Sequence, residues 1–401
     1  MSILFCHDHR FILGADGAVY SSGQYDRSFV ALYEAAFGRL TIAGRAREQR
    51  PDEDAAKLSP VFPSRDQFFA APDVSSLKGL LFDPDGLKDR MAELVSQADL
   101  VIARLPSEIG MIAIDAARKQ GVPVAVEVVA CVWDGLHSHG SPKAKLYAPV
   151  AKWRMQRAVK QAQFAHYVTQ SFLQQRYPAS GHAVGFSDVE IVEPEAATLE
   201  RRLAGIDAGE PECTFGMVAA LFHKEKGVDV TIRALAQARK QDPSLKLKVA
   251  GPGDIAPWME YAQQQGVADA VTFAGVLQRG QGVRDFIDTI DVYVQASYQE
   301  GLPRALIEAM SRATPALASS AGGTYELVGD AWRHQPGDDA RLAQQMLAVR
   351  AAQVRHEMAE ANFRRAADFA PSISLARRSA YWNHIKSEIG MQMPQPEGVA
   401  V

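Results

Sequence analysis

Cysteine is scarce: the 401-residue chain holds three, Cys6, Cys131 and Cys213. They are odd in number, far apart and match no metal-ligand spacing, so no metal site is expected and the compartment reads as reducing. An excess of one charge is also missing. Lys and Arg number 43 and Asp and Glu 47, for a net charge of −4 and a pI near 6.2, which argues against a nucleic-acid binder. No apolar run approaches the roughly 20 residues that cross a bilayer. The apolar start Ile3-Leu4-Phe5-Cys6 is too short for a secretory signal. There is no internal repeat and no low-complexity tract. The expectation is a cytoplasmic protein, at most peripheral on the inner face of the cell membrane.

A local absence adds to this. No acidic residue lies between Gly135 and Ser187, while the span carries Lys143, Lys145, Lys152, Arg154, Arg157, Lys160 and Arg176. Residues 145–162 have helical spacing, with Leu146, Val150, Trp153 and Val159 apolar. A solvated helix face is one reading. An anionic membrane surface meeting Lys143–Lys160, or a lipid-diphosphate partner, is the other.

What is present is strand–helix alternation over a length that exceeds one ordinary core. Apolar residues make up 47% of the chain. Strands are expected at 3–6, 40–43, 100–103, 123–129 and 165–169, with helices at 25–37 and 109–119 and a polar loop over 47–66. A Pro-punctuated, charged segment follows. The alternation then restarts with strands at 214–218, 245–250, 271–274, 291–297 and 315–318 and helices at 228–239, 338–352 and 372–389. The boundaries expected are an N-terminal Rossmann-like domain at 1–195, completed by a helix at 372–390. A linker at 196–212, with a short helical patch over 198–203, leads to a C-terminal Rossmann-like domain at 213–371, and 391–401 form a flexible tail.

One stretch concentrates chemistry: Glu300-Gly301-Leu302-Pro303-Arg304-Ala305-Leu306-Ile307-Glu308-Ala309-Met310. It follows an alternating strand, turns at Gly301 and enters a helix with Pro303 expected at its first position. Leu306, Ala309 and Met310 should face inward. Free backbone N–H groups and the positive end of the helix dipole then meet at one point, which is an anion site. Two carboxylates beside it suit a ligand with a phosphate and several hydroxyls, as in a nucleotide sugar.

These residues resemble the E-x7-E signature of glycosyltransferase family 4, whose members are retaining enzymes of the GT-B fold. Further segments are similar in order and spacing: Lys226-Gly227-Val228-Asp229, Gly251-Pro252-Gly253, Gly322-Gly323-Thr324-Tyr325-Glu326-Leu327-Val328 and Pro336-Gly337-Asp338-Asp339. The N-terminal half matches more loosely, through 127–134 and 167–178, and looks like the bacterial surface-polysaccharide branch.

The resemblance implies an α/β protein with two doubly wound Rossmann-like domains facing across a cleft, the second holding a nucleotide sugar and the first an acceptor. It places Glu300 on sugar hydroxyls and Glu308 on ribose. Lys226, with the backbone at Gly301, Leu302 and Pro303, would sit on the diphosphate, beside Ala220 and Gly251. Gly23, Arg104, Trp133 and Asp134 fall on the acceptor side, and Glu326 should bond backbone near the Gly-Gly turn. His7 and His9 read as local structure. Neither a cofactor nor a metal is expected.

Two departures stand out. Ala220 and Leu221 occupy the place of a phosphate-binding Gly-Arg pair. Trp133-Asp134 stand where many relatives have a sugar-contacting histidine, with His137 and His139 nearby. The expected activity is transfer of a hexose from a UDP-sugar, or next from GDP-mannose, to a saccharide or lipid-linked acceptor. A GT-B epimerase or phosphorylase, or a degenerate scaffold, is the rival.

Overall fold

The computed structural model describes residues 1–23, 25–54, 58–73, 86–138, 141–209, 212–222 and 224–390. The tail 391–401, His139 and His223 lie outside them. The first half runs β1 (Ser2–Leu13), β2 (Val19–Ser21), α1 (Arg27–Phe37), β3 (Arg39–Glu48), β4 (Ser59–Phe62), β5 (Phe68–Ala71), α2 (Leu87–Ser96), β6 (Leu100–Leu105) and α3 (Glu108–Gln120). It continues with β7 (Val124–Val128), α4 (Val132–Ser138), α5 (Pro142–Gln161), β8 (Phe164–Tyr167), α6 (Phe172–Arg176) and β9 (His182–Gly185). Next come α7 (Ala196–Ala208), β10 (Cys213–Val218), a 3₁₀ turn at Lys224–Lys226, α8 (Val228–Ala238), β11 (Leu245–Ala250), α9 (Ala256–Gln264), β12 (Val271–Gly275) and α10 (Gln281–Asp288). The chain closes through β13 (Val292–Gln295), α11 (Arg304–Ser311), β14 (Ala316–Ser319), β15 (Arg333–His334), α12 (Asp339–Ala348), α13 (Ala352–Ala366) and α14 (Pro371–Glu388).

The strands make two sheets. In the second, β12-β11-β10-β13-β14-β15 are all parallel. In the first, β5-β3-β1-β6-β7-β8-β9 are parallel, and β2 and β4 add antiparallel edges. Every residue of β6, β7, β8, β13 and β14 is buried, as helices on both faces require. Caps set helix starts: Asp26 accepts from the Phe29 N–H at α1, and Ser107 from the Gly110 N–H at α3. Each sheet reverses strand order at one place, between β1 and β6 and between β10 and β13. Crevices at the carboxyl ends of such pairs are where ligands bind.

α14 returns to the first sheet. Its Tyr381, Trp382 and Ile385 join Phe5, Tyr33, Phe37 and Phe164 in one apolar cluster, and Trp382 lies 5.1 Å from the Tyr33 ring.

Several expectations need correction. β1 does not stop at Cys6. The polar Asp8-His9-Arg10 interrupts its apolar run, but a register shift between Cys6 and Arg10 carries the strand on to Leu13. The segment 47–66 is not all loop, since β3 reaches Glu48 and β4 pairs with β2. The segment 196–212 is not a simple linker. Thirteen of its residues form α7, whose Leu199, Leu203 and Ile206 pack on Ala313, Ala359 and Phe363. Its Arg202 donates to the carbonyls of Ile290 at 2.6 Å and Ile287 at 3.2 Å. Helices α2, α4, α6, α9, α10 and α13 have no counterpart among the expected elements.

The two halves are joined by polar and steric contacts. The Glu326 carboxylate accepts from the backbone N–H groups of Gln170, Ser171 and Phe172 at 2.7, 3.0 and 2.9 Å. The backbone it bonds belongs to the first half and lies beside the Gly-Gly turn, where a Cβ on Gly323 would stand 3.0 Å from the Thr169 methyl. Ser138 Oγ donates to Gln299 Oε1 at 2.9 Å. Gly301 lies so close to the first half that a Cβ there would stand 2.1 Å from the Val129 carbonyl oxygen.

Replacing Glu326 by Ala leaves three N–H groups without their partner. We expect about 1–3 kcal/mol of lost stability, read as a lower urea midpoint or a split transition; an unchanged curve would mean that the contact contributes nothing. A second expectation concerns acid. Burial, then Arg104, His9 and Arg45, lower the His7 pKa from 6.5 to about 3, and its Nδ1 pairs with the Tyr25 hydroxyl at 3.1 Å. The unfolded chain therefore binds the extra proton first, so stability falls as pH drops from about 6.5 toward 3. Denaturation midpoints at pH 7 and pH 5 should differ less in His7→Asn than in the parent chain.

Candidate functional site

The carboxyl ends of both sheets line a cavity of about 960 Å³. Its second-half wall is built from β13 and the turn after it. β13 is wholly buried and ends at Gln295, and the chain then crosses Ser297–Gly301 to enter α11. Pro303 is the N-cap of α11 rather than its first helical residue, with φ −71°. Leu306, Ala309 and Met310 are fully buried, as expected. Glu300 through Ala305 all line the cavity, so the first N–H groups of α11, which have no intrahelical partner, sit at its wall.

Glu300 is 8% exposed. Its Oε1 accepts from Lys226 Nζ at 2.7 Å and from Gln295 Nε2 at 2.8 Å. Gln295 is itself fixed, because the Tyr293 hydroxyl donates to its Oε1 at 2.9 Å and its Nε2 also reaches Ser297 Oγ at 2.8 Å. Lys226 arrives from the 3₁₀ turn after β10, a loop tied down where the Tyr298 N–H meets the Glu225 carbonyl at 2.8 Å. A part-exposed lysine and a buried glutamine thus hold one carboxylate in place. Glu308 also lines the cavity. Burial raises its carboxyl pKa, with Arg304 and Arg284 acting the other way. Arg279, Arg284 and Arg304 add positive charge to this wall.

Lys226, Glu300, Gly301, Leu302, Pro303, Glu308 and Arg104 come together in the cavity. Ala220 and Gly251 do not line it. Leu221 beside Ala220 is buried in the apolar core of the second sheet, and its carbonyl accepts from the Trp258 indole at 3.1 Å, so this pair offers no cation and the loop's contribution to the cavity is Lys226. Gly251 has φ +146°, and a Cβ would stand 2.0 Å from the Ala219 carbonyl oxygen. It lets two strand ends approach.

Gly23, Trp133 and Asp134 are also outside the lining. The Gly23 N–H bonds Ser21 Oγ. Asp134 pairs with Arg176 at 3.3 Å, and Trp133 packs on His137.

The sequence reading passed over Gln295 and most of the first-half wall, namely Tyr33, Glu127, His166 and Asp188, together with Arg378 and Trp382 of α14. Two signals were available. Gln295 and Glu127 are polar residues inside strands otherwise built of apolar ones, and a buried polar residue needs a partner. Nothing in the local pattern marks Arg378 or Trp382, which reach the cavity only because α14 folds back.

Comparison with known proteins bears on the fold and the family. Residues 212–351 match the family model described as glycosyl transferases group 1. Over 343 residues the chain is 28% identical to Protein CapJ of Staphylococcus aureus, covering 85% of this chain and 84% of that one. It is 31% identical over 135 residues to the putative glycosyltransferase EpsF of Bacillus subtilis, covering 33% and 34%. Among solved structures, sucrose-phosphate synthase from Thermosynechococcus elongatus superposes with a TM-score of 0.67 at 16% identity, covering 96% of this chain and all of that one. Anabaena Alr3699/HepE in complex with UDP and glucose superposes with a TM-score of 0.65 at 17% identity, with the same coverage. The chain therefore has the GT-B fold, and its residues 212–351 form a group 1 glycosyltransferase domain.

Proposed function

We propose that the protein is a retaining glycosyltransferase of family 4. It moves a hexose from a nucleotide-diphosphate sugar to a saccharide or lipid-linked acceptor in bacterial polysaccharide assembly. The observation that carries this reading is Glu300, buried at the crossover between β10 and β13 and held by Lys226 and Gln295. A diphosphate entering beside α11 competes for Lys226. As it takes the ammonium, Glu300 is released toward sugar hydroxyls, while Gln295 keeps its orientation. The bond from the sugar's C1 to the diphosphate then breaks, the acceptor hydroxyl oxygen bonds C1 on the face that the diphosphate leaves, and the hydroxyl proton passes to the departing diphosphate oxygen. Charge grows on the departing diphosphate, where Lys226 and the free N–H groups of α11 already stand. With those cations fixed, no metal is required by this reading.

A UDP-sugar is the first choice of donor and GDP-mannose the second. HepE, a structural neighbour, is solved with UDP and glucose, and relatives such as the putative colanic acid biosynthesis glycosyltransferase WcaL of Escherichia coli, 31% identical over 145 residues, bear names from polysaccharide assembly. A degenerate scaffold is favoured by one observation, the apolar Ala220-Leu221 loop.

Membrane attachment belongs to the same reading. On α5 the buried side is Ala148, Ala151, Met155, Ala158 and Val159, so Val159 does not join the surface stripe. Leu146, Val150 and Trp153 point outward, at 83%, 49% and 57% exposure, among Lys143, Lys145, Arg157 and Lys160. Arg154 is spent on Glu108, at 2.9 and 2.7 Å. An outward apolar stripe flanked by lysines suits a cytoplasmic leaflet rich in anionic lipid.

Glu300→Gln weakens the charged contacts of that carboxylate, worth about 1.5–3 kcal/mol. Transfer should fall roughly 10- to 100-fold, while UDP or GDP binding by calorimetry changes little. Normal transfer in the variant removes Glu300 from its role, and failure of the parent chain to bind any nucleotide favours the scaffold. For the membrane, the protein should sediment with anionic but not neutral vesicles, and Leu146→Ser with Trp153→Ser should abolish this. Equal sedimentation with both vesicle types rules it out.

A further inference from the structure

Tyr298 stands two residues before Glu300, and Asp229 three residues after Lys226. Glu300 and Lys226 line the cavity; Tyr298 and Asp229 do not. The turn that carries Lys226 has little packing of its own, because none of Lys224–Lys226 is buried. A lysine stem is flexible, so its ammonium keeps one place only if the backbone beneath it is fixed.

The chain that leads to Glu300 fixes that backbone at three points. Gly227, with φ +69°, lies so close to the end of β13 that a Cβ there would stand 2.0 Å from the Ala296 carbonyl oxygen. The Tyr298 N–H donates to the Glu225 carbonyl at 2.8 Å. The Tyr298 hydroxyl donates to Asp229 Oδ2 at 3.2 Å, in the first turn of α8. One residue thus grips the chain on both sides of Lys226, by its main chain before the lysine and by its side chain after it.

Packing alone does not account for an aspartate at 229. It is 6% exposed, and its Oδ1 has no hydrogen-bond partner among the described residues, which costs stability. Its Oδ2 also receives Arg233 Nη1 at 3.3 Å. Arg233 is held in turn, since it donates to Asp339 Oδ1 at 3.0 Å and to the Tyr261 hydroxyl at 3.1 Å. Gly337, with φ +85°, leaves room for the tyrosine, because a Cβ there would stand 3.3 Å from the Tyr298 ring. The segments Lys226–Asp229 and Pro336–Asp339, both singled out in the sequence, therefore meet at Tyr298. Burial, then Asp229, raise the Tyr298 pKa above its ordinary 10.0, so the hydroxyl keeps its proton at neutral pH and donates it.

We propose that Tyr298, bonded to Asp229, is a positioning residue for the Lys226 ammonium. It ties the lysine turn to the chain that carries Glu300, so the two ends of the ion pair keep one geometry. The inference rests on the glycosyl-transfer reading and deepens it: a residue outside the cavity sets the strength of the diphosphate grip. With Leu221 turned into the core, no second cation from that loop compensates for a displaced Lys226.

The test is calorimetry on the full chain with UDP and UMP. UMP lacks the second phosphate, so the ratio of the two affinities reads the grip of Lys226, and the parent chain should bind UDP more tightly. Tyr298→Phe keeps the ring and the main-chain bond and loses only the hydroxyl. It should weaken UDP binding about fivefold and leave UMP binding unchanged. Lys226→Met should weaken UDP binding further, and adding Tyr298→Phe to it should change nothing more, because the tyrosine acts through the lysine. Unchanged UDP affinity in Tyr298→Phe, an equal loss for UDP and UMP, or an additive loss in the Lys226→Met background overturns the proposal. A crystal structure of Tyr298→Phe gives a readout without nucleotide: the Lys224–Lys226 turn should shift or lose order, and a turn left as in the parent overturns the proposal. A parent chain that binds neither UDP nor UMP counts against the transferase reading alone, and the turn in that crystal structure then decides for or against Tyr298.

Discussion

The carboxylate of Glu300 is buried in a protein wall and aimed there by fixed donors. Almost no water reaches it, so its charge needs partners in the fold. Lys226 and Gln295 supply them from two different strand ends, and the Tyr293 hydroxyl orients the glutamine. Leaving such a group without its partner typically costs several kcal/mol. This requirement binds β10, β13 and α11 into one unit, and places the start of α11 next to the ammonium that neutralises Glu300.

The same geometry explains why the two halves pack as closely as they do. Gly301 has no side chain, and the Val129 carbonyl fills the space where one would be. Glu326, a few residues beyond the Gly-Gly turn, spans to the backbone of residues 170–172. Both residues follow strands of the second sheet yet meet the first half. The cavity is therefore assembled from loops that each half presents at its own crossover, and α14 closes it from the side.

Much of the second half was legible in advance. The strand before Glu300, the turn at Gly301, the inward Leu306, Ala309 and Met310, and the place of Glu308 beside the turn follow from local pattern and spacing, while Lys226 is placed by the family resemblance. Pro303 shifts by one position, an ordinary boundary difference. Ala220 and Gly251 were misplaced for a common reason. Adjacency in a loop does not say whether a side chain turns to the ligand space or to the core, and Gly251 is demanded by strand packing alone. α7 reads as a short patch inside a linker because Pro194 and Pro211 flank it and charges crowd it, while its three apolar contacts are recognisable only beside α13.

The sequence by itself determined the α/β alternation, the turn into α11 and the two glutamates beside it, because these depend on periodicity, glycine and proline at fixed offsets, and short-range geometry. Only the tertiary structure decided which residues face them. Glu127 and Arg104 stand 23 positions apart and Asp188 a further 61 from Glu127, yet they form one ion-paired wall. Trp382 and Arg378 join it from the far end of the chain. No local pattern encodes such neighbours, because they are brought together by sheet order and by the return of α14 across the first half.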